Sequence, residues 1–460
     1  MATKPPGTNA NILISGAGIG GCIMAILLGR AGLDYLVLER ATAFKRLGSS
    51  LTLSSQILRL FDQLGLLEEL KERVALKVNG MTTLKQDLSL IGRTPTEYFE
   101  ERYGYGTLGV ARADFVEFLL SKIPSDRIQW GKRVLNVEQD DEQVTVYCAD
   151  KTKYQADILI GAEGAYSPVR QSMFKYLTEK GTPPPKSDLA PLNFEMFCNV
   201  GVATNLDPKE YPVLNKENTE LDAILANDLP FTVWLLKLSG NRIAWTAGGK
   251  LLSRKDKSGQ ETLRASEWEL RTDEELAPEI RDFKVYSDKT LGDLIDKTDP
   301  ELISRVMLED KCFSTWYAGR MVLIGDACHK LMPFGGQGAT QTVLDAACLA
   351  SLLHELPSTD MASLNQAFSA YFKHRYPSAK AAYDSSQMAT SLTANRGVMA
   401  DAIRSISLKY MPDKVVTMLM DKLNGERPIV SFLPPPPDRG LLKSTSVPVS
   451  AFTHTKPTTC

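Results

Sequence analysis

The sequence predicts an α/β chain in which a mostly parallel sheet is interrupted by an antiparallel one and followed by helices. Three stretches carry that expectation. In the first, an apolar run, Ile12 to Ile14, meets Gly-x-Gly-x-x-Gly at Gly16, Gly18 and Gly21. An apolar helix rich in Ala, Leu and Ile follows, then a second strand, Tyr35 to Leu38, ending in Glu39. In the second, Ile158-Leu-Ile runs into Gly161-Ala-Glu163-Gly164 and a helix start near Pro168. In the third, Met321 to Ile324 delivers Gly325-Asp326, and a glycine loop then opens a long apolar helix. Strands that read as continuous apolar runs are covered on both faces, as in parallel sheets. Between the second and third stretches lie three longer β-rich runs, Asn193–Thr204, Phe231–Leu238 and Arg242–Ala247, which suit an antiparallel sheet. The expected architecture is a Rossmann-like nucleotide-binding domain with an inserted antiparallel-sheet substrate domain and C-terminal helices.

The first stretch carries the most chemistry. Gly16 permits the tight turn out of the strand, Gly18 lets the backbone approach a pyrophosphate, and Gly21 lets the new helix pack on the sheet. The free amides of that helix's first turn then face the phosphates, and Glu39 stands where a ribose hydroxyl acceptor belongs. A glycine pattern alone also marks ordinary turns. Here strand, turn, helix, strand and acid fall in register, which favours dinucleotide binding.

The remaining elements follow in order. Phe44 to Leu53 reads as a loop and short strand, with Ser54 and Ser55 as N-cap candidates before an apolar-striped helix. Residues near 80–105 form an insertion. Arg112 opens a helix and reads, on local pattern, as a solvated charge. Arg133–Gln139 and Val144–Ala149 are strand-like. Thr182 to Pro185 breaks the chain, so the nucleotide-binding domain's first part is placed at 8–185 and the sheet domain at 186–300. The sheet aromatics Phe194, Phe197, Phe231, Trp234 and Trp245 suit plain packing one by one and an apolar pocket wall as a group. Lys250–Asp282 reads as charged and partly helical, and Thr290–Val306 as a helix broken at Pro300. The domain's second part is placed at 301–360 and helices at 361–425. A proline-rich, extended and disordered tail is expected over 426–460.

Composition narrows the class. Hydrophobic and charged contents of 43% and 23% are those of a soluble globular protein, and the net charge of −2 gives no footprint for nucleic acid. The seven cysteines lack Cys-x-x-Cys spacing, which argues against structural zinc and for a reducing compartment. The polar first ten residues lead straight into a strand and no apolar run reaches a membrane span, so a cytoplasmic protein, at most peripheral to membranes, is expected. All four histidines, His329, His354, His374 and His454, follow residue 328. The sheet domain therefore offers no histidine base, and His329 reads as a packed helix-entry residue.

Together, Gly16–Gly21 with Glu39, Asp157–Arg170 and Gly325–Asp345 resemble the single-component flavoprotein monooxygenases, the para-hydroxybenzoate hydroxylase-like family, over roughly residues 10 to 400. Within it the chain looks most like fungal enzymes that epoxidise or hydroxylate secondary metabolites. The resemblance implies FAD as cofactor. Gly16, Gly18, Gly21 and Glu39 would hold its ADP half, Arg40 would also bind the cofactor, Arg112 would lie along it, and Asp326 would bond its ribityl chain. Pro333, Gly335, Gly336, Gly338 and Ala339 would flank the isoalloxazine, with Pro333, Gly335 and Gly336 closest to the chemistry. Glu163 would take the place of the family residue that contacts FAD or the nicotinamide, with one departure: the family's middle motif usually reads Asp-Gly, whereas this chain has Glu163-Gly164.

The reaction so implied consumes NADPH or NADH and O2, and transfers oxygen from a flavin hydroperoxide to an alkene, indole or phenol. NAD(P)H would visit a surface cleft near Arg46, because only one Gly-x-Gly-x-x-Gly unit exists. Without a histidine base, a bulky, largely apolar natural product is favoured over a phenol, with Phe197, Trp234 and Trp245 as pocket candidates. No metal, nucleic acid or transmembrane span is expected. The competing readings are a phenol hydroxylase of the same family, a flavin oxidase or dehydrogenase, and a non-catalytic FAD-binding scaffold.

Overall fold

Ile12–Ser15, Tyr35–Leu38, Ile158–Gly161 and Met321–Leu323 are short strands buried along their whole length, as strands covered on both faces must be. The computed structural model describes residues 11–192, 194–226, 231–250, 269–270, 278–394 and 412–452. In it these strands form the centre of a six-stranded sheet in the order 317–318, 321–323, 158–161, 12–15, 35–38, 128–129. Neighbours are parallel except the 317–318/321–323 pair. The chain leaves Ile12–Ser15 towards Tyr35–Leu38 on one side and returns at Ile158–Gly161 on the other, so a crevice opens at the carboxyl ends. All three glycine-bearing turns issue from that edge. The helices Ile19–Arg30 and Gly338–His354 pack on each other beside it, both almost wholly buried.

A ten-stranded sheet forms the second layer. Its order is 269–270, 304–309, 194–203, 242–250, 231–238, 219–225, 75–85, 107–111, 50–53, with 90–95 alongside 75–85. It draws on far more chain than the stretch 186–300. Strands from residues 50–111 join one side, because Thr219–Leu225 pairs parallel with Ala75–Lys85, and Ser304–Glu309 joins the other by pairing with Phe194–Ala203. Thr219–Leu225 carries no clear sequence signal. One face of this sheet packs Val233, Leu235, Ile243 and Trp245 against Phe283, Leu291, Leu294 and Ile295. The other turns Met196, Cys198 and Val200 towards Met332 and Phe334, that is, towards the loop of the third motif.

Two expectations change. The helix expected over Thr290–Val306 is confined to Leu291–Asp296, opened by a capping box between Thr290 and Asp293. Pro300 stops it, and Ser304–Glu309 is recruited into the sheet. The tail is extended but not disordered as far as residue 452: Arg427 and Val430 are each 1% exposed. Its carbonyls lack a ladder and are met instead by side chains of the helix Ser55–Gln63. Arg59 donates to Arg427 O at 2.8 Å, and Gln63 to Val430 O and Leu433 O at 3.0 and 3.1 Å. Arg427 in turn donates to Asn424 O and Leu442 O at 2.7 and 2.5 Å. Most of Lys250–Asp282 and the tail beyond 452 lie outside the described residues.

Candidate active site

The first turn obeys its glycines by sterics. Gly16 has φ +100°, and a Cβ there would stand 2.6 Å from Ala162 O. A Cβ on Gly21 would stand 1.8 Å from Gly16 O. Gly18 differs: a Cβ would meet nothing within 4 Å. It is the N-cap of the helix Ile19–Arg30, in extended conformation and without a side-chain cap. The helix amides therefore open onto clear space, the geometry that suits a phosphate. Glu39 stands beside them, its carboxylate accepting from Ala17 N at 2.7 Å and Ala41 N at 2.8 Å. Arg40 is exposed.

Arg112 sits at the first turn of its helix and donates to Leu47 O at 3.3 Å, tying that helix to the loop before the strand Ser50–Leu53. Arg46 pairs with both Asp114 and Glu117, and Arg242 reaches the same Asp114 at 2.7 Å. The Arg46 guanidinium is thus a clamp between loop and helix, with its charge already matched.

Glu163 lies just behind Gly16. One carboxyl oxygen accepts from Ser167 Oγ at 2.6 Å, and the other is enclosed without a partner. Burial pushes its pKa up to about 7, against the opposing pull of Ser15, Ser167 and Arg170. Arg170 donates to Ala327 O at 2.7 Å, which joins the second motif to the third.

In the third motif Gly325 has φ +61°, and Asp326 follows at the strand's carboxyl end. Lys330 holds the Asp326 carboxylate at 2.7 Å. Pro333–Gly335 form a short 3-10 turn, Gly336 has φ +62°, and Gly338 begins the helix Gly338–His354. The amides of that helix's first turn, Ala339 among them, face back along the loop. Thr340 Oγ1 lies 3.3 Å from Ser54 Oγ, so Ser54 reaches across to this loop rather than capping its own helix. The sheet supplies a wall: the Trp234 and Phe334 rings lie 5.1 Å apart.

The structure divides the expected pocket aromatics. Strand parity puts Trp234 on the face towards the loop, with Val200, Thr246 and Gly248. Phe197 and Trp245 take the opposite parity. Trp245 is fully buried on the far side, its Nε1 donating to Thr298 at 2.9 Å, and Phe197 stacks under the Arg305 guanidinium there. Neither joins Trp234, because alternation, not aromatic character, chooses the face. The side chain of Phe194 lies outside the described residues.

Behind Gly325 stands a group drawn from within the third motif and from a later helix. Asp345 is fully buried and accepts from Gly325 N at 3.0 Å, His329 Nε2 at 2.5 Å and Arg375 Nε at 2.9 Å. Burial is the largest influence on its acidity and opposes ionisation. Attraction to His329 and Arg375, with the hydrogen bonds from His329 and Gly325, outweighs it and holds the carboxyl below its usual range. His329 is packed, as expected of it, against Trp316. Cys328, His329 and Asp345 place ligand atoms within 4.8 Å of one another, but Arg375 already neutralises the one carboxylate. The residues sixteen and forty-six positions past His329 give no local signal of this meeting.

The match to known proteins is direct. A family model described as FAD binding domain fits residues 9–386. The chain belongs to this family. FAD-dependent monooxygenase paxM of Penicillium paxilli is 28% identical, over 93% of this chain and 88% of its own. FAD-dependent monooxygenase andE of Emericella variicolor is also 28% identical, over 93% and 89%. The solved structure of Klebsiella pneumoniae HpxO with FAD and uric acid shares the fold, with TM-score 0.71, 21% identity and coverage of 91% of this chain and 97% of that one. This protein is therefore an FAD-dependent oxidoreductase of the monooxygenase type. Its residues fit the cofactor: clear space at Gly18, free helix amides, the Glu39 carboxylate at the second strand, and a glycine turn with Asp326 on the same sheet edge. Among the described residues no helix is long and apolar enough to cross a membrane.

Proposed function

We propose that this enzyme uses NAD(P)H and O2 to place one oxygen atom on a bulky, largely apolar natural product, by epoxidation or hydroxylation. The observation that carries the reading is the wall made by Trp234, Phe334, Met196, Cys198 and Val200 over the Pro333–Ala339 loop. Gly16, Gly18, Gly21, Glu39 and Asp326 would hold FAD, with Pro333, Gly335 and Gly336 beside its ring. When bound, FAD supplies the redox chemistry, accepting electrons from the nicotinamide and activating oxygen.

The chain's own part is positional. The first turn of Gly338–His354 is the positive end of a helix and stabilises negative charge placed before it. Phe334 and Trp234 exclude water from the space above the loop. An apolar wall favours an alkene or an electron-rich ring over a charged phenolic acid. Arg46, already paired, would bind a nicotinamide phosphate only by exchanging Asp114 or Glu117 for it.

The test is turnover with NADPH under isotopically heavy oxygen, with terpenoid, indole and phenolic acid substrates compared. One heavy atom in a terpenoid or indole product supports the proposal. Unlabelled product with hydrogen peroxide equal to NADPH consumed would make the enzyme an oxidase. Turnover of phenolic acids alone would move the substrate class.

A further inference from the structure

We propose that Asp345, with His329 and Arg375, is a positioning residue for the flavin half of the cofactor: it fixes the Gly325–Asp326 turn and the start of the helix Gly338–His354 from behind. The inference rests on the FAD reading of the site and goes beyond it, since none of the three touches the crevice. All are at most 3% exposed.

The geometry is that of a brace with three arms. The first arm is Asp345 Oδ2 on Gly325 N, 3.0 Å. Gly325 sits at φ +61° with Thr342 against it, so that a Cβ there would lie 2.7 Å from Thr342 Oγ1. A turn this tight has an outward amide that must be met, and Asp345 meets it. The second arm is His329 Nε2 on the same Oδ2, 2.5 Å. It ties down the strand that leaves the Asp326 turn, so Asp326 is held on both sides. The third arm is Arg375, from the long helix Met361–Ala394. Its Nε reaches Asp345 Oδ1 at 2.9 Å and its Nη2 reaches Gln341 Oε1 at 2.6 Å. Gln341 and Asp345 lie one turn apart on one helix face, and Gln341 is in the helix's first turn. One guanidinium thus sets the angle at which that helix end meets the loop.

The charges explain why the arrangement is built from ions. A buried carboxylate accepting three charge-assisted or backbone hydrogen bonds is rigid in a way that apolar packing is not. His329 Nδ1 is enclosed without a partner, so the ring is held from one side, by Asp345 and the face of Trp316. Removing that one donor loosens the turn while leaving the Asp345–Arg375 pair in place.

The experiment uses the full chain freed of flavin, titrated with FAD and, separately, with ADP as a probe of the adenine half. The brace lies at the third motif, whereas ADP would engage only Gly16–Gly21 and Glu39. His329→Leu should weaken FAD binding about tenfold and leave ADP affinity within about twofold, the loss of one hydrogen bond to a charged group. His329→Gln, whose amide can still donate to Asp345, should recover most of the loss. The visible flavin band of His329→Leu should lose fine structure as the ring gains freedom. Asp345→Asn, which also takes the charge from the Arg375 pair, should weaken FAD binding more than His329→Leu does. Unchanged FAD affinity in His329→Leu overturns the proposal, as does equal weakening of FAD and ADP, which marks a merely structural role. Wild type that binds neither probe instead removes the FAD reading on which the proposal rests.

Discussion

The carboxyl edge of the parallel sheet and the loop-facing side of the large sheet both shape the site, but different physics sets them. At the parallel edge, single residues meet hard limits. A Cβ at Gly21 would stand 1.8 Å from a backbone oxygen, whereas one at Gly18 would touch nothing. In the large sheet, Trp234 and Trp245 lie on adjacent paired strands, and Trp245 pairs with Leu235, the residue after Trp234. That offset of one residue sends one indole to the loop and the other into the far core. Local covalent geometry governs the first region; cross-strand register governs the second.

The sharpest way to break this contrast is to substitute the two glycines. Gly21→Val should destabilise the chain by more than about 4 kcal/mol, since backbone cannot yield to the clash as a flexible side chain would. Gly18→Ala should leave stability within about 0.5 kcal/mol of wild type yet weaken FAD binding, because its methyl occupies the space a phosphate needs. Thermal melting and flavin retention of the two variants give the answer. If Gly18→Ala melts early, or keeps FAD as wild type does, that space is not a phosphate site.

The two tryptophans sharpen the other side. Trp245→Ala should cost about 3–5 kcal/mol, the range for emptying a core aromatic, and it also leaves the Thr298 hydroxyl without its donor. Trp234→Ala, at a partly exposed position, should cost about 1–2 kcal/mol in lost apolar burial and should raise substrate KM or the peroxide released per NADPH. Denaturant melts read the first effect and coupling measurements the second. Equal stability losses would mean that the faces are not as distinct as the register makes them.

Legibility in the sequence follows the same division. The strands Ile12–Ser15 and Ile158–Gly161, the glycine turns and Glu39 can be read because each depends on neighbours within a few residues. The strand Thr219–Leu225 cannot: its partner is Ala75–Lys85, far away in sequence, and it has no alternating pattern of its own. The same holds for Asp345, whose three partners come from a turn, a strand and another helix. The tail misleads because prolines signal an extended chain, and an extended chain without a ladder suggests a loose one. Gln63 and Arg59, on a helix hundreds of residues earlier, supply the hydrogen bonds that fix it.

Glu163 offers the finest test, because it is where the parallel edge departs from its own pattern. Its backbone place is readable from the strand and Gly164; its ionisation is not. The carboxyl is enclosed, one oxygen is unpartnered and its pKa is pushed up to about 7 from an ordinary 4.5. A raised acid means that the folded state binds the proton more tightly than the unfolded chain. Stability then falls as pH rises from the unfolded pKa through the folded one, and levels off above it. The total amounts to about 3 kcal/mol, each tenfold change in proton affinity being worth about 1.36 kcal/mol. Glu163→Gln, neutral at every pH, removes this slope. It should match wild type near pH 4.5 and exceed it in stability by about 3 kcal/mol at pH 8, the largest part of the gain arising between those values. Chemical denaturation at both pH values reads the difference. A gain that is the same at both would show that Glu163 is ionised with a partner after all, and that this position follows the ordinary pattern of the edge to which it belongs.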